Sequence, residues 1–299
     1  MPVGALATYL RLLRTQTLLV VGDALHANAE SIGTESGLRQ PGTEAPYYVA
    51  VGDEVALFEA AHADGTAVLL KGPTGCGKTR FVEYMAWRLS RPFVTVACHD
   101  DLSASDLTGR WLIRGGETVW QDGALTVAVR NGAICYLDEV VESRQDVVVV
   151  LHPVSDHRRL LPIEKIGEIV GAAPGFQLVV SYNPGYQHAL KELKPSTRQR
   201  FVTIDFDFPP SDLERDIVMH EGGADAKTAR KLTELAARMR RLRDRGLAEV
   251  PSTRLLVATA RLIARGIAPA AACHAALTGP LTDDPELVAA LHDLVTATF

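Results

Sequence analysis

Cysteine is scarce. The 299 residues hold four, Cys76, Cys98, Cys135 and Cys273, with no C-x-x-C spacing, which excludes a disulfide framework and a cysteine-rich zinc site and leaves reduced thiols suited to a cytoplasmic protein. Long apolar runs are also missing. The stretch at 18–21 is broken by Gly22 and Asp23, too short for a membrane span and weak as the core of a signal peptide. Positive charge is not in excess: 31 lysines and arginines against 36 aspartates and glutamates give a net charge of −5. Nucleic acid is therefore disfavoured as the main ligand, because such binders carry a basic face or stripe. The densest basic run, RMRRLRDR at 238–245, reads as the solvated face of a helix.

What is present is an ordinary globular composition and one strong motif. With 47% hydrophobic and 22% charged residues, the chain can bury one large core or divide into a large and a small domain. AVLLKGPTGCGKT at 67–79 opens with an apolar run that reads as a buried parallel strand, and Gly72, Gly77, Lys78 and Thr79 then satisfy G-x-x-x-x-G-K-[ST]. Gly72, Pro73, Thr74, Gly75, Cys76, Gly77, Lys78, Thr79 and Arg80 are the candidate nucleotide contacts. The glycines let backbone N–H groups turn onto phosphate oxygens, and the helix that follows offers its positive end. Lys78 reaches the terminal phosphates, and the Thr79 hydroxyl can ligate Mg2+.

In chain order, residues 1–44 carry no motif and read as a flexible extension, with a loose linker over 27–45. DEVALFEAAHADG at 53–65 sets Val55, Phe58 and Ala61 on one helical face and stops at Gly65. A helix over 80–89, a strand over 93–98 and a short capped helix ending at Gly109 follow, with His99, Asp100 and Asp101 read as local caps. Residues 110–123 predict a hairpin about Gly115 and Gly116.

GAICYLDEV is the second strong signal. Its strand, 133–137, ends in Asp138 and Glu139, and acids at the end of a buried strand require a cation or hydrogen bonds. In a phosphate-loop protein the first carboxylate holds Mg2+ and the second activates the attacking water. A helix over 145–152, a second hairpin turning at 165–167 and a buried strand over 176–182 lead to Asn183. Its amide is placed to bond the attacking water or the γ-phosphate, or simply opens the NPG turn. Arg198 and Arg200 precede a strand at 201–206 and suit a bidentate grip on phosphate from a neighbouring subunit. Beyond Pro209 only helices are expected, over 211–221, 226–245, 252–265, 269–277 and 284–299, with Arg254 able to reach back to the nucleotide.

GPTGCGKT, CYLDEV, SYNP, STRQRF and STRLL, in this order, resemble the AAA+ ATPases of the MoxR branch. LKGPTGCGKTRFVEYMAWRL, VACHDDL, GAICYLDEVVE and LVVSYNPGYQ resemble its CbbQ/NirQ/NorQ group over about residues 46–299. One departure is Ala124, where the group usually has proline.

The resemblance implies an α/β fold: an AAA+ P-loop NTPase core over 45–208, with a parallel sheet flanked by helices, and a small all-helical lid over 209–299. It implies ATP and Mg2+ as cofactors. Lys78 and Thr79 would be the Walker A pair, Asp138 and Glu139 the Walker B pair, Asn183 sensor 1, Arg254 sensor 2, and Arg200 the finger acting across a subunit boundary, with Arg198 close behind. It further implies a homo-hexamer, a partner bearing a von Willebrand factor A domain, and a client metalloenzyme. GDEVALFEAA and RRLLPIEK favour rubisco as the client, with nitric-oxide or nitrite reductase as the alternative. A AAA+ transcriptional regulator lacks support, since neither a G-A-F-T-G-A loop nor a helix-turn-helix is visible, and a small-molecule kinase would not need the arginines beyond position 180.

Overall fold

A computed structural model describes residues 37–184, 193–243, 247 and 249–299. The expected extension therefore lies outside the described residues as far as position 36. Arg39 departs from the loose linker: its N–H and C=O pair with Phe93 at 2.8 and 2.9 Å, as an antiparallel bridge at a strand start.

Helix α1 (Glu54–Asp64) ends on Gly65 in the left-handed conformation, φ 72°, where a residue without Cβ is unstrained. It leads into β1 (Ala67–Lys71), α2 (Lys78–Arg88) and β2 (Phe93–Ala97). Helix α3 (Ala104–Thr108) starts from a Ser103/Asp106 capping box, and the hairpin β3 (Gly109–Arg114) and β4 (Glu117–Asp122) turns at the expected glycines. Then come α4 (Ala124–Asn131), β5 (Ile134–Asp138), α5 (Gln145–Ser155), the hairpin β6 (Leu160–Ile163) and β7 (Glu168–Gly171), β8 (Gln177–Tyr182), α6 (Pro195–Arg198) and β9 (Phe201–Asp205). Ala124 opens α4, at the position where proline's fixed φ would cost nothing.

Five strands form one parallel sheet in the order β2-β5-β8-β1-β9. Every residue of β8 is buried, as expected where helices cover both faces. One face packs Phe58, Phe81, Met85 and Tyr136, and the other packs Leu107, Leu125, Leu151 and Leu161. Because β8 lies between β1 and β5, the carboxyl ends of the three strands stand side by side.

The C-terminal region is helical: α7 (Ser211–Gly222), α8 (Ala226–Arg240), α9 (Thr253–Ala264), α10 (Pro269–Cys273) and α11 (Pro285–Thr296). It has an apolar core of its own, with Leu232, Leu235, Leu256, Leu277 and Leu291 at its centre. Asp225, Ser252 and Asp284 cap α8, α9 and α11 by accepting backbone N–H groups.

Three helices differ from expectation. Helix α5 runs on through Pro153 to Ser155 rather than stopping at 152. Helix α8 stops at Arg240 rather than 245, as the Leu242 N–H tightens onto the Met239 carbonyl and the Arg240 side chain turns to Glu214. The helix expected over 269–277 becomes a π turn, His274–Thr278, after Cys273.

Candidate active site

The loop between β1 and α2 rises at the carboxyl end of β1, and its glycines meet different constraints. A Cβ on Gly72 would strike the Phe206 carbonyl, and one on Gly75 (φ 71°) would stand 2.6 Å from Ser252 Cβ. The loop is thus pressed between β9 and the start of α9, and only glycine fits at these contacts. Lys78, buried at the first position of α2, donates to the Gly72 and Pro73 carbonyls at 2.8 and 2.9 Å and to Asn183 Oδ1 at 2.6 Å. Three neutral oxygens hold the ammonium that phosphate oxygens can claim. Burial pushes the Lys78 pKa down and Arg254 adds to the push, while Cys76, Asp138 and Glu139 oppose it.

Asp138 and Glu139 leave β5 next to this loop. Asp138 Oδ1 accepts from Ser181 Oγ at 2.5 Å and Tyr136 Oη at 2.7 Å. Its Oδ2 faces the Thr79 hydroxyl at 3.5 Å. This set fits Mg2+, which takes hard oxygen donors and binds through one or two carboxylates plus substrate phosphates. Thr79 and Asp138 are the residues that could hold it. Among the described residues, His, Cys, Asp and Glu form no group of three or more able to hold a metal ion. His99 Nδ1 accepts the Asp101 N–H at 3.3 Å, and the cap of α3 is Ser103.

Glu139 is a non-glycine residue in the left-handed region, φ 57°, a conformation that costs on the order of 1–3 kcal/mol and tends to mark functional sites. Its N–H donates to Ser181 Oγ at 3.0 Å. Its carboxylate accepts from Asn183 Nδ2 at 2.8 Å, and the same amide nitrogen donates to Thr74 Oγ1 at 3.0 Å. Asn183 therefore joins the lysine, the loop and the acid in one network.

Thr74, Lys78, Thr79, Asp138, Glu139 and Asn183 line a cleft of about 950 Å³, at the upper end of the range for small-molecule sites. The cleft takes in Arg80 and, from the helical region, Arg254 and Arg261. Arg80 is already paired, with Glu83 at 3.4 Å and Glu221 at 3.3 Å. Buried Cys76 and Cys98 sit close by; burial raises both thiols, Cys98 to about 12 with Asp138 and Glu139 adding to the rise. Burial thus disfavours the thiolate of both, the opposite of what activates a cysteine nucleophile.

Two family models match the chain: an AAA domain (dynein-related subfamily) over residues 67–201 and the CbbQ/NirQ/NorQ C-terminal domain over 214–298. The CbbQ protein of Hydrogenophilus thermoluteolus is 59% identical over 254 residues, covering 85% of this chain and 95% of the relative. The chain belongs to the CbbQ/NirQ/NorQ family of AAA+ ATPases. The NorQ protein of Paracoccus denitrificans is 60% identical over 256 residues, 86% of this chain and 95% of the relative. A solved RuvB mutant of Thermotoga maritima aligns with TM-score 0.50 at 15% identity, over 81% of this chain and 67% of that one, a likeness of fold alone.

Against that family frame, the structure brings Lys78, Thr79, Asp138, Glu139, Asn183 and Arg254 to one cleft. It does not bring Arg198 or Arg200 there. Arg198 is exposed on α6. Arg200 reaches the His152 carbonyl at 3.5 Å and Asp156 at 3.8 Å, and its Nε is buried with no partner among the described residues.

Sequence reasoning missed Ser181 and Tyr136, which orient Asp138. Their signal was a hydroxyl near the carboxyl end of each of two mostly apolar strands.

Proposed function

We propose that this CbbQ/NirQ/NorQ ATPase is a Mg2+-dependent, ring-forming motor, a cytoplasmic homo-hexamer, that works with a von Willebrand factor A domain partner to remodel and activate a metal-dependent enzyme, with rubisco as the client. The observation that carries the ATPase half is the Lys78–Asn183–Glu139 network beside Thr79 and Asp138. In this reading residues 45–208 form the nucleotide-binding body and 209–299 the lid.

Lys78 exchanges its carbonyl partners for the terminal phosphates. Bound Mg2+ would neutralise charge developing on the phosphate oxygens, held by Thr79 and Asp138. Glu139 takes the proton of the attacking water, and Asn183 aligns that water or the γ-phosphate. Arg254, beside Gly75, reports the nucleotide to the lid. Arg200 serves the neighbouring subunit's site, which accords with its position outside its own cleft; Arg198 is the second candidate.

The client divides the two readings. A factor for nitric-oxide or nitrite reductase is the alternative, and identities of 59% to a CbbQ and 60% to a NorQ do not choose between them. Adding the chain, its partner and ATP to sugar-phosphate-inhibited rubisco should restore carboxylation within minutes, with no recovery when ATP is replaced by a non-hydrolysable analogue. Rubisco left inhibited, with reductase maturation restored instead, would transfer the assignment.

A further inference from the structure

Arg198 ends α6 and Arg200 follows two residues later. A helix of one turn does not hold itself, since nucleation costs more than so few bonds return. What fastens this one is α5. His152, in the last turn of α5, brings its Nε2 to 3.1 Å from Thr197 Oγ1 of α6. Thr197 is 2% exposed, so this contact lies under the turn, away from water. The Thr197 carbonyl in turn accepts the Arg200 N–H at 3.1 Å. The ring of His152 therefore holds the residue from which the Arg200 main chain hangs.

Main chain and side chain are held to different degrees. The Arg200 side chain is 35% exposed, and its guanidinium meets Asp156 at 3.8 Å and the His152 carbonyl at 3.5 Å. Half-exposed partners at such lengths contribute little, and phosphate oxygens, which arginine grips two at a time, outcompete them. The root of the arginine is fixed while its tip is free to exchange partners. Helix α5 also follows Glu139 through the turn Val140–Glu142, so the segment that leaves one subunit's own cleft is the one that aims its arginine away from it.

We propose that His152 is the positioning residue for Arg200: its ring fixes Thr197 and thereby aims the guanidinium at ATP bound by the neighbouring subunit. This rests on the reading of Arg200 as the group that completes a neighbour's site. His152 lies outside the cleft of its own subunit, so its loss slows turnover next door and leaves its own cleft competent.

The test is ATP turnover by the full chain, assembled alone or mixed in equal amounts with Lys78→Ala before assembly. His152→Ala should turn over about tenfold more slowly than wild type while binding ATP within about twofold, and His152→Gln, which returns a polar atom to the reach of Nε2, should recover most of the loss. Mixed with Lys78→Ala, His152→Ala should give about a quarter of wild-type turnover, the share of interfaces that join an intact Lys78 to an intact His152. A defect confined to its own cleft would give about a twentieth. That lower figure, a glutamine variant as slow as the alanine one, or His152→Ala turning over like wild type overturns the proposal. Arg200→Ala mixed with Lys78→Ala is the control. No recovery there overturns the reading of Arg200 and the proposal with it, whereas recovery there and none for His152→Ala overturns the proposal alone. Should His152→Ala fail to assemble, Thr197→Val, which removes the same bond from the other side and keeps the side chain's shape, must show the same slow turnover and the same recovery on mixing. A wild-type rate or no recovery in that variant overturns the proposal.

Discussion

Asp138 has two oxygens with different work. Oδ1 is occupied by the hydroxyls of Ser181 and Tyr136, and Oδ2 faces Thr79. The hydroxyls hold the carboxylate without reaching the Mg2+ that its other oxygen would bind, and partners of that kind are typically worth 10–100-fold in metal affinity. Replacing Ser181 with Ala should raise the Mg2+ concentration for half-maximal ATP turnover by about tenfold and leave nucleotide affinity without metal nearly unchanged. A Mg2+ titration checks this, and an unshifted midpoint would release Ser181 from the role. Ser181 also accepts the N–H that helps fix Glu139 in its left-handed conformation, so kcat should fall in the same variant.

At the scale of elements, the helical region is pinned by one buried ion pair. The Glu214 side chain, 1% exposed, accepts two bonds from Arg240 at 2.7 and 2.8 Å and one from the Thr253 hydroxyl at 2.7 Å. Three helices, α7, α8 and the start of α9, therefore meet on one carboxylate. Glu214→Ala strands a guanidinium that is mostly buried, and breaking a pair of this type costs roughly 3–5 kcal/mol. Urea unfolding followed by circular dichroism should show that loss, and a change under about 1 kcal/mol would mean the pair is dispensable.

The same pair marks where sequence reasoning stopped working. The strands, both hairpins and the helix starts were legible because their signals are local: apolar runs, glycine turns, Ser or Asp caps. The end of α8 was not, because Arg240 is drawn inward by a residue 26 positions earlier. Likewise Asp138, Glu139 and Lys78 could be named from strand ends and a loop pattern. The apolar half of the cleft could not, since Leu57 looks like a surface position until α7 and α9 stand opposite it.

For the whole molecule, the candidate that the cleft leaves out is Arg200. It sits away from its own cleft, and in the proposed head-to-tail ring a residue placed so is free to complete a neighbour's site. Lys78→Ala and Arg200→Ala should each be inactive alone. Mixed before assembly in equal amounts, they should regain about a quarter of wild-type turnover, the share of interfaces that join an intact Lys78 to an intact Arg200. No recovery on mixing would return the arginine to its own subunit or remove it from the chemistry.

The most direct measurement is made on Glu139→Gln, a change that keeps the side chain's size and removes its basicity. ATP should bind with an affinity within about threefold of wild type, while turnover falls by about a hundredfold or more. Turnover that persists undiminished, or ATP binding lost together with it, would contradict the assignment of Glu139 as the base acting on water in this cleft.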